Sequence, residues 1–167
     1  LSDRLDFSAA AARLEEARAV LQDDPVERAK VAMDLAATLY HAGRTASCAG
    51  LLEEAIAFAS LAGREDLARI ARGNRIELLI NRGEWETASA EVAELSSSAR
   101  RDKDDLRLLV ALHHGSRLAL RRGHLERAAP ENREARDLAS RLRDRIEIGE
   151  LWLEEGDRLL YKGHVEE

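Results

Sequence analysis

Residues 79–91 read "LINRGEWETASAE", and they place Gly83 and Trp85 inside an Ala- and Glu-rich stretch that otherwise favours helix. A glycine in a helix interior costs about 1 kcal/mol relative to alanine, so Gly83 needs a structural reason. Where two helices meet, a glycine can adopt the left-handed conformation that ends the first helix without a steric penalty. The stretch therefore predicts two helices joined by a turn at Gly83.

The same turn recurs at a fixed interval along the chain. Glycines stand at positions 43, 83, 123 and 163, which are 40 residues apart each time. The neighbours that recur with them are Leu39, Leu79, Ala119 and Leu159 four positions before, Thr45, Trp85, Leu125 and Val165 two positions after, Cys48, Ala88 and Ala128 five positions after, and Ala55, Leu95 and Ala135 twelve positions after. Self-similarity at such a period is typical of helical-repeat proteins.

Each 40-residue unit is predicted to be a helical hairpin. In the second unit, residues 65–82 carry apolar side chains at helical spacings, and residues 85–101 carry them along one stripe. Charged segments separate the units, namely "GREDL" at 63–67, "KDDL" at 103–106 and "RDRI" at 143–146. Two kinds of turn therefore alternate along the chain: a glycine turn within each unit and a charged turn between units.

Helix-capping residues mark where repeats begin. Asp24 followed by Pro25 offers an N-cap with a proline at the first helical position, and Asp144 with Glu147 has the spacing of a capping box. We therefore predict one domain, a single helical solenoid fragment over residues 1–167. Its parts are a half-unit (1–23), three repeats (24–63, 64–103 and 104–143) and a partial fourth repeat (144–167). This division predicts a piece of a longer helical array.

The composition excludes several classes of protein. The chain has 167 residues, 45% of them hydrophobic, which is enough for a core and too many for a disordered chain. No apolar run approaches the ~20 residues that span a bilayer, and the N-terminus does not have the pattern of a secretory signal. A net charge of −6 disfavours duplex DNA as the main ligand, and a single cysteine indicates a reducing, cytoplasmic setting. We therefore expect neither a nucleic acid nor a membrane as the direct partner.

The turn sequence Gly83-x-Trp85-x-x-Ala88 resembles the hairpin turn of the tetratricopeptide repeat. The last unit, "LWLEEGDRLLYKGHV" at 151–165, adds to the resemblance. It has Trp152, Gly156, Leu159 and Gly163 at that family's tryptophan, mid-helix glycine, apolar and turn-glycine positions. The long, Ala/Arg/Leu-rich units are similar to the tetratricopeptide-like regions of large bacterial regulators, in particular the MalT-like subset of LuxR-type transcription regulators.

This resemblance implies an all-α fold, a right-handed α-solenoid of antiparallel helical hairpins. It also implies a non-enzymatic protein- or peptide-interaction module. Such a module would be the regulatory or scaffold part of a larger bacterial signalling or transcription-regulating protein.

Few residues suggest catalysis or metal binding. Cys48 occupies the small-residue position that Ala88 and Ala128 fill, so we expect it to be a packing residue. His113 and His114 are adjacent, whereas metal-binding histidine pairs on a helix are spaced i,i+4. The sequence contains no phosphate-loop, dinucleotide, zinc-protease or nucleophile-elbow motif. We therefore expect no enzyme activity, no cofactor and no metal.

The resemblance also implies where a partner binds, because the first helix of each hairpin lines the concave surface of tetratricopeptide-like solenoids. Counting back from each turn glycine predicts four groups of groove residues. They are Met33, Asp34, Ala37, Tyr40 and His41; Gly73, Asn74, Glu77, Ile80 and Asn81; His113, His114, Arg117, Leu120 and Arg121; and Glu154, Asp157 and Tyr161.

The third group forms a basic band, which consists of His113, His114, Arg117 and Arg121. Arginine binds a carboxylate through two parallel hydrogen bonds, so an acidic peptide segment is the expected ligand of this band. A competing interpretation is that the charges only pair with acidic residues on adjacent helices (Glu77, Glu154 and Asp157), since exposed charge pairs are common and weak.

Three further expectations follow from the pattern. The groove could instead be the sensor site for a small effector or signalling peptide. Exposed apolar faces at the repeat ends would allow a homodimer. Trp85 is expected to be a packing residue wedged between hairpins, and not a platform on which a ligand stacks.

Overall fold

The computed structural model describes residues 6–162, which form eight α-helices and contain no β-strand. The helices are α1 (Phe7–Val20), α2 (Pro25–His41), α3 (Cys48–Leu61), α4 (Glu65–Asn81), α5 (Trp85–Asp102), α6 (Asp105–Arg121), α7 (Leu125–Leu142) and α8 (Arg145–Tyr161). A short 3-10 turn, Thr45–Ser47, precedes α3. The prediction of an all-α fold is confirmed for this part of the chain.

Consecutive helices pack against one another, as a helical repeat requires. The chain divides into two compact units, Leu1–Leu78 and Leu79–Glu167, with the boundary inside α4. In the first unit α1 packs on α2 and α2 packs on α3; in the second, α5 packs on α6, α6 on α7 and α7 on α8, and α6 also touches α8. The handedness of a solenoid and the predicted repeat boundaries stay predictions.

The turns repeat every 20 residues, twice as often as the glycine pattern indicated. Gly43, Gly83 and Gly123 have φ of +73°, +74° and +75°, as predicted for the hairpin turns. Positions 63, 103 and 143 between the units are also left-handed, but only the first is a glycine; Lys103 has φ +55° and Arg143 has φ +59°. The predicted turn residues Gly163, His164 and Val165 lie outside the described residues.

The predicted caps form, with one difference. The Asp24 carboxylate accepts hydrogen bonds from the backbone N–H groups of Val26 (3.0 Å) and Glu27 (3.1 Å), and Pro25 is the first residue of α2. The Asp144 carboxylate likewise accepts from the N–H of Glu147 at 3.1 Å. The Glu147 carboxylate does not complete a capping box, because it binds the ring of His113 on α6 instead.

Small residues at the repeat positions bring the helices of the first unit close together. Ala55 and Ala59 of α3 are fully buried, and Ala55 packs with Ala32 of α2. Cys48 is buried, and its thiol donates a hydrogen bond to the Ala36 carbonyl at 3.4 Å. The prediction that Cys48 is a packing residue is therefore confirmed.

The core of the second unit fastens α6, α7 and α8 together. Leu112 of α6, Leu138 of α7 and Leu151 of α8 belong to one buried cluster. The side-chain amide of Asn132, buried on α7, donates a hydrogen bond to the Leu151 carbonyl at 3.0 Å. Removing a buried leucine from such a cluster costs about 2–5 kcal/mol, so this core holds the two walls of the site described below in place.

Trp85 is less buried than the sequence predicted. It is the first residue of α5, its side chain is 37% exposed, and the guanidinium of Arg122 lies 5.9 Å from its ring centroid. Thr45 and Leu125, two positions after the other turn glycines, are half-buried as well. A residue at the start of the second helix lies at the edge of the hairpin. Trp85 therefore packs at this edge, and the prediction that it is wedged between hairpins is wrong.

No helix within residues 6–162 combines the length and the apolar character that crossing a bilayer requires.

Candidate functional site

An open cavity of about 760 Å³ lies between α6 and α8 in the second unit. Its basic wall comes from the last turn of α6, where Arg117 and Arg121 are four residues apart and therefore share a helix face. Leu120 of the same turn and Leu125 at the start of α7 provide apolar surface. Both arginines and Leu120 are among the groove residues that the sequence predicted.

The acidic wall comes from α8. Glu150, Glu154 and Asp157 lie at positions i, i+4 and i+7 of this helix and line the cavity together with Leu153 and Tyr161. The structure thus brings Arg117, Leu120 and Arg121 of the predicted third group into one cavity with the predicted fourth group, Glu154, Asp157 and Tyr161. Its two walls carry opposite charge.

His113 is not an open part of the predicted basic band, and this corrects the expectation for that residue. Its ring is buried, with Nδ1 bonded to the Glu147 carboxylate and Nε2 at 3.0 Å from Oε1 of Glu154. Desolvation lowers the pKa of His113, but the hydrogen bonds and charges of the two carboxylates outweigh it and raise the pKa to about 10. Both ring nitrogens then donate, and His113 is a buried cation that joins α6 to α8.

His114, in contrast, is neutral. Its ring is half-buried and stacks on His113, with the ring centroids 5.4 Å apart. Burial, followed by the positive charges of His113 and Arg117, lowers the pKa of His114 to about 3, so this histidine is neutral near pH 7. Of the four residues in the predicted basic band, Arg117 and Arg121 supply the positive charge that lines the cavity.

Glu154 connects the buried cation with the cavity. One of its oxygens, Oε1, accepts the hydrogen bond of His113, while Oε2 is buried and has no hydrogen-bond partner among the described residues. A buried acceptor without a donor is costly, and this oxygen is shielded from the cavity. The pairing of His113 with Glu154 also matches the competing interpretation, in which basic residues pair with acids on an adjacent helix.

The first group of predicted groove residues lies in the first unit. Met33 is half-buried and packs against three clusters of the core, and its place in a groove stays a prediction. Tyr40 is 37% exposed, and its ring contacts that of His41 edge-on at 5.7 Å between centroids. His41 in turn stacks on Phe7 of α1 at 5.8 Å.

The second group lies on α4. Asn74 is exposed and Glu77 is half-buried in the first unit, and Asn81 is exposed in the second unit. The place of these side chains in a ligand-binding groove stays a prediction.

Sequence reasoning missed five residues of this site, among them Gly123 and Leu125, which line the cavity where α6 leads into α7. Glu150 and Leu153 line the cavity, and Glu147 holds His113. The signal was present, since Glu150 and Leu153 precede Glu154 and Asp157 by one helical turn on the same face of α8. Within residues 6–162 the structure has no group of three or more His, Cys, Asp or Glu side chains arranged to hold a metal ion.

No known protein family matches this sequence, and no curated protein is significantly similar to it.

Proposed function

We propose that this chain is a non-enzymatic interaction module which binds a protein or peptide segment in the cavity between α6 and α8. The single observation that carries the proposal is the arrangement of opposite charges, with Arg117 and Arg121 on one wall and Glu150 and Asp157 on the other. An acidic side chain of the partner would bind the arginines, and a basic side chain of the partner would bind Glu150 or Asp157.

The size and openness of the site favour a peptide over a compact substrate. The cavity is open to solvent along α8, where Tyr161 is 72% exposed. Tyrosine supplies a large contact area at a low cost in side-chain entropy and is enriched at binding interfaces. A segment lying along α8 would cover Leu153 and Tyr161 while its charged groups meet the two walls.

The helical repeat supports the same proposal. Left-handed turns every 20 residues and small buried residues at Ala88 and Ala128 are the features that let helical hairpins stack. We infer that the hairpins form a right-handed, tetratricopeptide-like solenoid whose first helices provide the binding surface. By the resemblance of its sequence, the module would belong to a larger cytoplasmic bacterial signalling or transcription-regulating protein.

The test compares two charge reversals of the same kind. Arg121 and Arg141 are both exposed, and each lies in the last turn of its helix, α6 and α7 respectively. Only Arg121 lines the cavity. Wild-type, Arg121→Glu and Arg141→Glu chains are immobilised, and proteins captured from the source cell's lysate are quantified by mass spectrometry.

The expected result is a partner held by the wild type and by Arg141→Glu and lost from Arg121→Glu, with circular dichroism unchanged. A peptide scan of that partner should then locate an acidic segment that binds the purified chain directly. Equal capture by all three chains would show that the cavity is not the binding surface.

A second candidate function is the sensing of a small effector. It is favoured by the opposite charges of the two walls, since an ammonium group could bind Glu150 or Asp157 while a carboxylate on the same molecule binds Arg121. A library of zwitterionic small molecules, screened by the shift in melting temperature, would detect such an effector. A hit that stabilises the wild type but not Arg121→Glu would favour sensing over peptide binding.

A further inference from the structure

A second cavity, of about 350 Å³, lies between α5 and α7 in the second unit. Both helices pack on α6, and an ion pair of Arg100 with Glu134 at 2.8 Å joins α5 to α7 beside the cavity. Ala111 and Leu112 of α6 are buried and form an apolar floor. The three helices are consecutive and fully described, so both walls and the floor come from this part of the chain.

The α5 wall presents hydroxyl groups. Ser89, Ser96 and Ser97 line the cavity, and their spacing of i, i+7 and i+8 places them on one helix face. Within a helix such a hydroxyl can bond back to a carbonyl of the preceding turn, as Thr38 does to the Asp34 carbonyl at 2.8 Å. Among the described residues none of the three serine hydroxyls has a hydrogen-bond partner, so all three are available to a ligand.

The α7 wall presents an arginine and a glutamate that is folded inward. The Nε of Arg127 lies 3.4 Å from Oε1 of Glu131, and the terminal N–H groups of Arg127 have no partner in the described part of the chain. The Glu131 carboxyl lies against Gly115 of α6, because a Cβ atom added to that glycine would be 2.8 Å from Oε2. Oε2 is buried, and burial raises the pKa of Glu131 above its ordinary value.

This cavity is not the ordinary groove of the repeat, because the chain departs from its 40-residue pattern here. At the positions equivalent to the three serines, the neighbouring repeats carry no hydroxyl group: Ala49, Ile56 and Ala57 on α3, and Ala129, Arg136 and Asp137 on α7. The positions equivalent to Gly115 all carry large side chains, namely Leu35, Arg75 and Glu155. Both departures meet in this cavity, where the glycine makes room for the Glu131 carboxyl beside the serine wall.

The hydrogen-bonding groups left over in the cavity favour a negatively charged ligand. Glu131 already has a cation in Arg127, and its second oxygen is shielded. The remaining groups are donors, namely the terminal N–H groups of Arg127 and the serine hydroxyls. Guanidinium and hydroxyl groups bind phosphate and carboxylate oxygens well, since the hydrogen bonds are charge-assisted and arginine can offer two in parallel.

We propose that the cavity between α5 and α7 binds a small organic oxyanion, a phosphate or a carboxylate. Arg127, Ser89 and Ser96 donate to its oxygens, and its apolar part lies on Ala111 and Leu112. The proposal does not rest on the proposed peptide binding, because no residue lines both cavities.

Three probes that share one ring and differ in charge test the proposal. Phenyl phosphate, benzoate and benzylammonium are titrated separately into the purified, ¹⁵N-labelled chain, and the amide signals of Gly115 and Ser96 are followed by NMR. We expect at least one anion to shift these signals with a Kd on the order of 1 mM or below, and benzylammonium to leave them in place. The tighter anion shows whether the site prefers phosphate or carboxylate. A chain that binds neither anion, or that binds benzylammonium equally well, overturns the proposal.

Substitutions on α7 then test which groups hold the anion. Arg127→Gln should weaken its binding roughly tenfold, whereas Glu131→Gln removes an opposing charge and should strengthen it roughly threefold. Arg133→Gln is the matched control, since Arg133 is exposed on the same helix and does not line the cavity. Circular dichroism checks that each variant stays helical. Equal affinities of the Arg127 and Arg133 variants, or weaker binding by Glu131→Gln, would contradict the proposed arrangement.

Discussion

Two adjacent histidines on α6 differ in protonation state, because one ring lies between carboxylates and the other lies beside positive charges. His113 lies between two carboxylates of α8 and is held as a cation, whereas His114 is desolvated beside two positive charges and is neutral. The buried cation and its two carboxylates replace apolar packing between α6 and α8. Such a group contributes to stability only while every partner keeps its charge.

The two histidines predict a maximum of stability near pH 6.5. The pKa of His113 rises from 6.5 to about 10 on folding, so its contribution is fully present below pH 6.5 and is lost as the pH rises toward 10. The pKa of His114 falls from 6.5 to about 3, so its neutral form contributes above pH 6.5, and this contribution is lost as the pH falls toward 3. Urea denaturation at a series of pH values measures both limbs.

The alkaline limb belongs to His113. We expect the free energy of unfolding to fall between pH 6.5 and 10 by an amount on the order of a few kcal/mol in the wild type, and to stay level in His113→Gln. His124→Gln, at the exposed position before α7, is the control and should follow the wild type. An alkaline limb of the same size in His113→Gln would rule out the charged His113 as its origin.

At the scale of helices and turns, the structure shows a 20-residue unit of one helix and one left-handed turn. Half of these turns lie within a predicted hairpin and half lie between hairpins. The glycine pattern marked the first kind only, because Lys103 and Arg143 adopt the same conformation with side chains that disfavour it. A left-handed non-glycine residue costs about 1–2 kcal/mol, which packing of the flanking helices must offset.

The turn between α5 and α6 therefore offers a stabilising substitution. Lys103→Gly should raise the free energy of unfolding by about 0.5–1 kcal/mol, since glycine relieves the steric cost at φ +55° but adds freedom to the unfolded chain. Lys103→Ala keeps a Cβ atom and removes the rest of the side chain, so it is the control and should lack this gain. Urea denaturation at one pH compares the three chains; equal stability of the glycine and alanine variants would contradict the argument.

The helix α8 both packs on the core and lines the cavity. Its inner face carries Glu147, Glu154 and Leu151, which hold α6 and the core, and its outer face carries exposed apolar side chains such as Leu160. Glu150, Leu153 and Asp157 lie where the cavity and the outer face meet. A helix used on both sides needs its register to be defined, and the hydrogen bond from Asn132 to the Leu151 carbonyl anchors it.

At the scale of the whole molecule, the charge balance argues against duplex DNA as a ligand. The chain has 26 Lys and Arg against 32 Asp and Glu, and the two arginines of the cavity face an acidic wall. We expect no binding of a fluorescently labelled duplex in an anisotropy titration at about 0.15 M salt, because phosphate neutralisation supplies most of the affinity for DNA. A basic DNA-binding domain titrated in parallel serves as the positive control. Saturable binding below about 10 μM would contradict this expectation.

The positions of helices and hairpin turns were predictable from the sequence because they depend on local rules. Gly83 marks a turn by its backbone freedom, and Asp24 with Pro25 marks a helix start by its hydrogen-bonding chemistry. Part of the cavity was also predictable. Counting back from the turn glycines predicts Arg117, Arg121 and Asp157 as groove residues, and all three line the cavity.

The sequence by itself determined an all-helical fold with a recurring turn and placed Arg117, Arg121 and Asp157 correctly, because periodicity and capping act within one helix and its turn. The tertiary structure alone decided which of the charges on α6 line the cavity and which are buried. Sequence reasoning grouped His113 with the arginines, yet the packing of α8 on α6 gives it two carboxylate partners and removes it from the surface. The physical reason is that a charge state depends on desolvation and on neighbours 34 and 41 residues away, which no local pattern contains.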